Sequence, residues 1–108
     1  MKIYYREKSG GIEILRCFGI EGRVGIPGMI DDKLVISAAP YAFSSHMDEK
    51  EDLKNASLWE VSDGLEFGRE EHVLAGNDVE EIVFPYTLKE IGRYIFYGCG
   101  NLKKLEFS

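Results

Sequence analysis

Apolar and polar residues near the N-terminus alternate in a way that is typical of β-strands. Two runs rich in β-forming residues, 2–7 and 12–18, flank Ser9-Gly10-Gly11, which has the composition of a hairpin turn. The second run is partly apolar on both faces, since isoleucines at 12 and 14 alternate with Leu15 and Cys17. We therefore predict a β-hairpin whose second strand is covered on both sides.

The clearest pattern is a repeat near the C-terminus. The hexapeptide VEEIVF at 79–84 returns as LKKLEF at 102–107, with a spacing of 23 residues. Both copies have apolar residues at the first, fourth and sixth positions and two charged residues after the first. A period of 20–29 residues with one short strand per unit is typical of a leucine-rich solenoid.

A second, less regular match extends the repeat towards the N-terminus. Segment 25–45 contains Ile26-Pro27 and then Tyr41-Ala42-Phe43, and segment 83–99 contains Phe84-Pro85 and then Tyr94-Ile95-Phe96. The proline precedes the first aromatic residue by fourteen positions in one copy and by nine in the other. The first copy is thus the same unit with about five extra residues in its turn.

These residues resemble the BspA-type leucine-rich repeat family, whose unit reads approximately apolar-x-x-I-x-I-P-x-x-V-x-x-I-G-x-x-A-F-x-x-C-x-x-L. The complete copy is 79–101, in which Ile95 replaces the usual small residue. The resemblance implies an α/β, β-rich solenoid fragment in which each unit supplies a strand to a parallel sheet and a short helical return. It also implies inward-pointing side chains at Phe84, Leu88, Ile91, Phe96, Cys99 and Leu102.

The length of 108 residues predicts a single domain, which the repeat divides into four parts. We predict a capping hairpin at 1–19, an irregular first repeat at 20–45, an acidic insertion at 46–77, and a complete repeat with the start of the next at 78–108. Within the insertion, DEKEDLKNASLWEV favours a turn or two of helix and DGLEFGREEH favours a loop. Trp59 is expected to dock the insertion on the main body.

The charge is concentrated in the insertion. Residues 44–72 carry nine acids and three bases, which accounts for the whole net charge of −6. An acidic protein with no basic face is not expected to bind nucleic acid. The N-terminus lacks the apolar core of a signal peptide, and no apolar run is long enough to span a membrane. The chain is therefore expected in the cytoplasm by default, whereas the family resemblance implies the cell surface.

Candidate chemical sites give no prediction of catalysis, cofactor binding or metal binding. Cys17 and Cys99 could pair by count alone, but we interpret them as buried, reduced thiols. A nucleophilic pairing of Cys99 with His46 or His72 is not favoured, because both histidines lie in the acidic segment. The acids at 48, 49, 51 and 52 lack the order of a calcium loop and are interpreted as a solvated charge run.

We therefore predict a non-catalytic protein–protein interaction module, the N-terminal part of a leucine-rich repeat protein of the recognition or adhesion type. The alternative is an intracellular scaffold or regulatory domain whose acidic insertion is the functional element. Because the last strand has an unpaired flank, a homodimer through the open C-terminal end is also expected. The positions predicted to contact a partner are the exposed ones of the repeat strands, namely Glu80, Glu81, Val83, Lys103, Lys104 and Glu106.

Overall fold

A computed structural model describes residues 1–46, 52–61 and 71–108. Within these ranges 46% of the residues lie in strands, and the helical residues are Asp52 and the 3-10 turn Gly76–Asp78. No helix in this part of the chain is long and apolar enough to cross a membrane. The strands, in chain order, are β1 (Lys2–Lys8), β2 (Gly11–Gly19), β3 (Arg23–Gly25), β4 (Met29–Ile30), β5 (Lys33–Ala38), β6 (Ser57–Glu60), β7 (His72–Val73), β8 (Glu81–Phe84), β9 (Glu90–Ile91) and β10 (Lys104–Phe107).

The predicted N-terminal hairpin is confirmed. Strands β1 and β2 pair antiparallel, with Lys8 opposite Gly11, so that Ser9 and Gly10 form a two-residue turn. Both turn residues have positive φ, 53° for Ser9 and 81° for Gly10. A type I′ turn requires this combination, and its twist matches that of the two strands it connects.

Strand β2 is the centre of a mixed seven-stranded sheet. It pairs with β1 and β7 antiparallel and with β5 parallel, in the order β4-β5-β2-β1-β6, with β7 on β2 and β9 on β5. All its residues except Phe18 are buried, which confirms a strand covered on both faces. The second strand of the N-terminal hairpin therefore lies in the middle of the molecule, whereas residues 6–10 at its turn are exposed.

Two charged side chains of β2 are buried with polar partners. Glu13 accepts hydrogen bonds from Arg6 Nε at 2.8 Å and Ser37 Oγ at 3.4 Å. On the same strand Arg16 is 2% exposed and its Nη1 donates to the backbone carbonyls of Tyr41, Ala42 and Ser44. The guanidinium thus provides a donor to the buried carbonyls of Ala42 and Ser44, and it fixes the 41–44 loop against β2.

A second sheet holds the two copies of the repeated strand. Strand β8 lies between β3 and β10, and all three are parallel. Ile82 lies opposite Leu105 and Phe84 opposite Phe107, which is the register that the 23-residue spacing sets. Buried side chains of both sheets form one hydrophobic core.

The predicted α/β leucine-rich-repeat solenoid with helical returns is wrong. The chain is a compact β-rich domain whose mixed sheet is nearly closed and barrel-like. The segment between β8 and β10 forms turns and strand β9, which pairs in parallel with β5. Helix is disfavoured there because Pro85, Gly92, Gly98 and Gly100 interrupt it and Tyr94 has a φ of +57°. The hairpin predicted as a cap at 1–19 is part of the main sheet, where β2 pairs with β5 and β7 as well as with β1.

The predicted acidic insertion contributes to the sheet. Strand β6 pairs antiparallel with β1, and Trp59 lies opposite Ile3 and packs on the core, as expected for a docking residue. Strand β7 pairs with the end of β2. Residues 47–51 and 62–70 lie outside the described ranges, and with them the first four residues of the segment predicted to be helical, most of the predicted loop and the acids at 48, 49 and 51. The described part of the predicted helix is mainly a turn at 53–55 and strand β6, so the helix prediction is wrong there.

Most of the predicted inward-pointing positions of the repeat face the core. Phe84 is fully buried, and the side chains at 88, 96, 99 and 102 are partly buried against the core cluster. Ile91 is the exception, since it is 42% exposed at the end of β9. Its neighbour in the pattern, Ile95, is 4% exposed and takes the core position.

Gly92 is predicted to be intolerant of any side chain. A Cβ there would lie 2.2 Å from Pro40 N and 2.4 Å from the carbonyl carbon of Ala39, both of which are backbone atoms. We expect Gly92→Ala to lower the free energy of unfolding by about 2–3 kcal/mol, because the backbone must move apart. Gly25→Ala is the matched control, since a Cβ at Gly25 meets no heavy atom within 4 Å. Its effect should stay within about 0.5 kcal/mol in urea unfolding, and equal effects of the two variants would contradict the packing described.

Candidate protein-interaction edge

The structure brings the six predicted contact residues together on the three-stranded sheet. Glu81 and Val83 lie on β8, and their register partners on β10 are Lys104 and Glu106. The remaining two, Glu80 and Lys103, come directly before these strands. Because side chains alternate along a strand, Glu81, Val83, Lys104 and Glu106 share the face that points away from the core.

The opposite face of β10 carries two apolar residues that the sequence prediction left out of the site. Leu105 is 43% exposed and Phe107 is 56% exposed, whereas their register partners on β8, Ile82 and Phe84, are fully buried. The ring of Phe107 lies 5.7 Å from that of Phe84. Their place in the repeat could have identified them, since they are the core positions of its last copy.

The backbone of β10 has one paired and one outward edge. Lys104 and Ser108 donate their N–H groups to Glu80 and Phe84 carbonyls of the β8 side, and the Ser108 carbonyl accepts from Tyr86. Backbone groups alternate in direction along a strand, so the N–H and C=O groups of Leu105 and Phe107 point away from β8. In the part of the chain that the structure describes, β8 is the only strand paired with β10. Strand β10 is therefore an edge strand with exposed apolar side chains.

Charges alternate across the sheet on its outer face. Arg23 on β3 and Lys104 on β10 lie on either side of Glu81 in register. The Arg23 Nε lies 2.9 Å from a Glu81 carboxylate oxygen. One position earlier, Lys103 Nζ lies 3.9 Å from Glu80. Opposite charges on neighbouring strands stabilise their pairing and oppose a shift of register.

The thiols are not arranged for nucleophilic chemistry. Cys17 is buried, as predicted, and burial raises the pKa of its thiol to about 12. Partial burial also raises the pKa of Cys99, whose thiol donates a hydrogen bond to the Phe43 carbonyl at 3.2 Å. His46 packs edge-on against the Tyr97 ring at 4.7 Å, and His72 pairs with Gly19 in the sheet.

Two small surface pockets lie away from the β10 edge. One is lined by Lys8, Ser37, Lys89 and Glu90 among others, and the second lies beside the 39–41 turn. Among the described residues, no group of three or more His, Cys, Asp or Glu side chains is placed to hold a metal ion. The β10 edge is thus the surface at which backbone, apolar and charged groups converge.

Comparisons with protein-family models, curated proteins and solved structures gave no match to this chain. They therefore do not bear on the resemblance to the BspA-type family. A function for this chain has to be argued from its own residues.

Glu81 is predicted to be the residue that holds the outer face of this sheet together electrostatically. Glu81→Lys would place three cations side by side in register, and we expect it to lower the free energy of unfolding by about 1 kcal/mol at low salt. Glu81→Gln removes the attraction without adding repulsion, so it should lower the free energy of unfolding clearly less. In urea unfolding the difference between the two variants should shrink at about 1 M NaCl, where exposed charges are screened. A difference unaffected by salt would contradict the electrostatic explanation.

Proposed function

We propose that this chain is a non-catalytic protein–protein interaction module that binds an extended segment of a partner protein by strand addition at the outer edge of β10. One observation carries the proposal. Leu105 and Phe107 are 43% and 56% exposed on a strand whose outer backbone groups are directed away from its only described neighbour.

Strand addition would provide partners for the outward backbone groups of β10 and cover for its exposed apolar side chains. The added main chain would hydrogen-bond to the outward N–H and C=O groups of Leu105 and Phe107, and its apolar side chains would cover theirs. Recognition of this kind takes its affinity from main-chain hydrogen bonds and its specificity from alternate side chains. An edge strand offers unpaired N–H and C=O groups as a template for pairing with another chain.

The non-catalytic part of the proposal is supported by the state of the candidate nucleophiles. A reactive cysteine is usually found where a cationic or hydrogen-bonding environment lowers its pKa. Both thiols here have a raised pKa instead, because burial disfavours the thiolate.

A peptide titration tests strand addition directly. The probe is the capped hexapeptide VEEIVF, which copies the segment that already pairs with the inner edge of β10. We expect saturable changes in the amide NMR signals of Leu105 and Phe107, and slower hydrogen exchange at both. Leu105→Pro removes an outward N–H without removing a bond to β8, and it should weaken binding at least about tenfold.

Leu105→Ala is the matched control because it keeps the N–H and shortens the side chain, so it should weaken binding less than Leu105→Pro. Phe107→Pro removes the other outward N–H and provides a second variant if Leu105→Pro does not fold. No saturable change at the β10 amides, or binding that both proline variants leave intact, would overturn the proposal.

Part of the acidic insertion at 46–77, which is the functional element in the alternative hypothesis, can be replaced without changing the edge. The Val61 carbonyl and the Glu71 carboxylate both accept hydrogen bonds from the Met1 backbone nitrogen, at 2.8 and 3.0 Å. The two ends of segment 62–70 are therefore close, and a four-residue Gly/Ser linker can replace it at little entropic cost. Peptide binding should be unchanged by this replacement, and its loss would show that residues 62–70 of the insertion contribute to binding.

A further inference from the structure

We propose that the outer edge of β10 selects a parallel strand of a particular chemical pattern, an inference that rests on the proposed function. The residues of the added strand opposite Lys103 and Lys104 would be acidic. Those opposite Leu105 and Phe107 would be apolar. The partner segment would thus have the pattern acidic-acidic-apolar-x-apolar. The inference concerns the chemistry of the segment, whereas the proposed function requires only that a strand is added.

The charge order across the sheet supports the acidic part of this pattern. Reading from β3 to β10, the register position of Arg23, Glu81 and Lys104 is basic, acidic and basic. One position earlier, an acidic residue again lies beside a basic one, with Glu80 before β8 next to Lys103 before β10. A further parallel strand in the same register continues the alternation only if it carries acids at both positions.

The apolar face supports the rest of the pattern. Phe43 and Phe84 are fully buried with ring centroids 6.1 Å apart, and Phe107 follows Phe84 at 5.7 Å but is half exposed. The row of aromatic rings therefore runs from the core to the β10 edge. An apolar side chain opposite Phe107 would extend this row by one residue and remove both it and Phe107 from water.

A second copy of this chain fits the edge less well in the parallel arrangement. The other edge of the sheet is β3, and in-register stacking would place its Arg23 opposite Lys104. Like charges directly opposite each other are destabilising. Two copies could instead pair antiparallel about Leu105, which would place Lys104 opposite Glu106 of the second copy. Sedimentation of the chain alone distinguishes this dimer from peptide binding.

The test compares two peptides that differ only in charge, VEEIVF and VKKIVF. The protein has a net charge of −6, so overall attraction favours the basic peptide. Local pairing with the two lysines favours the acidic peptide, and we expect it to bind the 108-residue chain about five- to tenfold more tightly. Two charge pairs worth a few tenths to 1 kcal/mol each give a difference of about this size. Lys104→Glu should remove or reverse this preference. Lys33→Glu changes the net charge equally, on a strand of the other sheet, and should leave the preference intact.

Each other result has a defined meaning. Equal binding of both peptides at the β10 amides would overturn the charge selection and leave strand addition standing. Binding of neither peptide would overturn strand addition and this inference with it. A dimer in sedimentation of the chain alone that Leu105→Pro abolishes would make the second copy the occupant and overturn the inference.

Discussion

The burial of both faces of β2 is the constraint on which the rest of the structure depends. A strand whose residues are nearly all buried needs partners along both edges and cover on both sides. Strands β1 and β5 supply the edges, and the segments that carry β7 and β9 complete the sheet. The charged side chains of β2 are compatible with this position only because Glu13 and Arg16 have polar partners within reach, as the burial of an unpaired charge is costly.

Arg16 connects this central strand to the part of the molecule that carries the interaction edge. Its guanidinium holds the carbonyls of the 41–44 loop, and Phe43 of that loop contacts Phe84 on β8 through their rings. Phe84 in turn contacts Phe107 on β10. The position of the proposed binding strand therefore depends on the buried Arg16 guanidinium and on a row of aromatic rings that begins at Phe43.

Much of the local structure could be predicted from sequence because its causes are local. The Ser9-Gly10 turn defines the hairpin, and the 23-residue spacing defines which residues of β8 and β10 face each other. The global arrangement could not be predicted in the same way, because strands β6, β7 and β9 are short and form through pairing with distant strands. Ile91 and Ile95 illustrate this, since both fit the apolar pattern, yet Ile91 on β9 is 42% exposed whereas Ile95 is 4% exposed. At the site, the charged positions followed from alternation along the strand, while the exposure of Leu105 and Phe107 depends on which strands lie beside β10.

Amide hydrogen exchange along β10 in the free chain tests the central claim most directly. If β10 pairs with β8 on one edge and is open on the other, protection should alternate, with slow exchange at Glu106 and Ser108 and fast exchange at Leu105 and Phe107. Equal protection at all four amides would show that the outer edge is already covered. Fast exchange at all four would show that β10 does not pair stably with β8, and either result would contradict this account of an open binding edge.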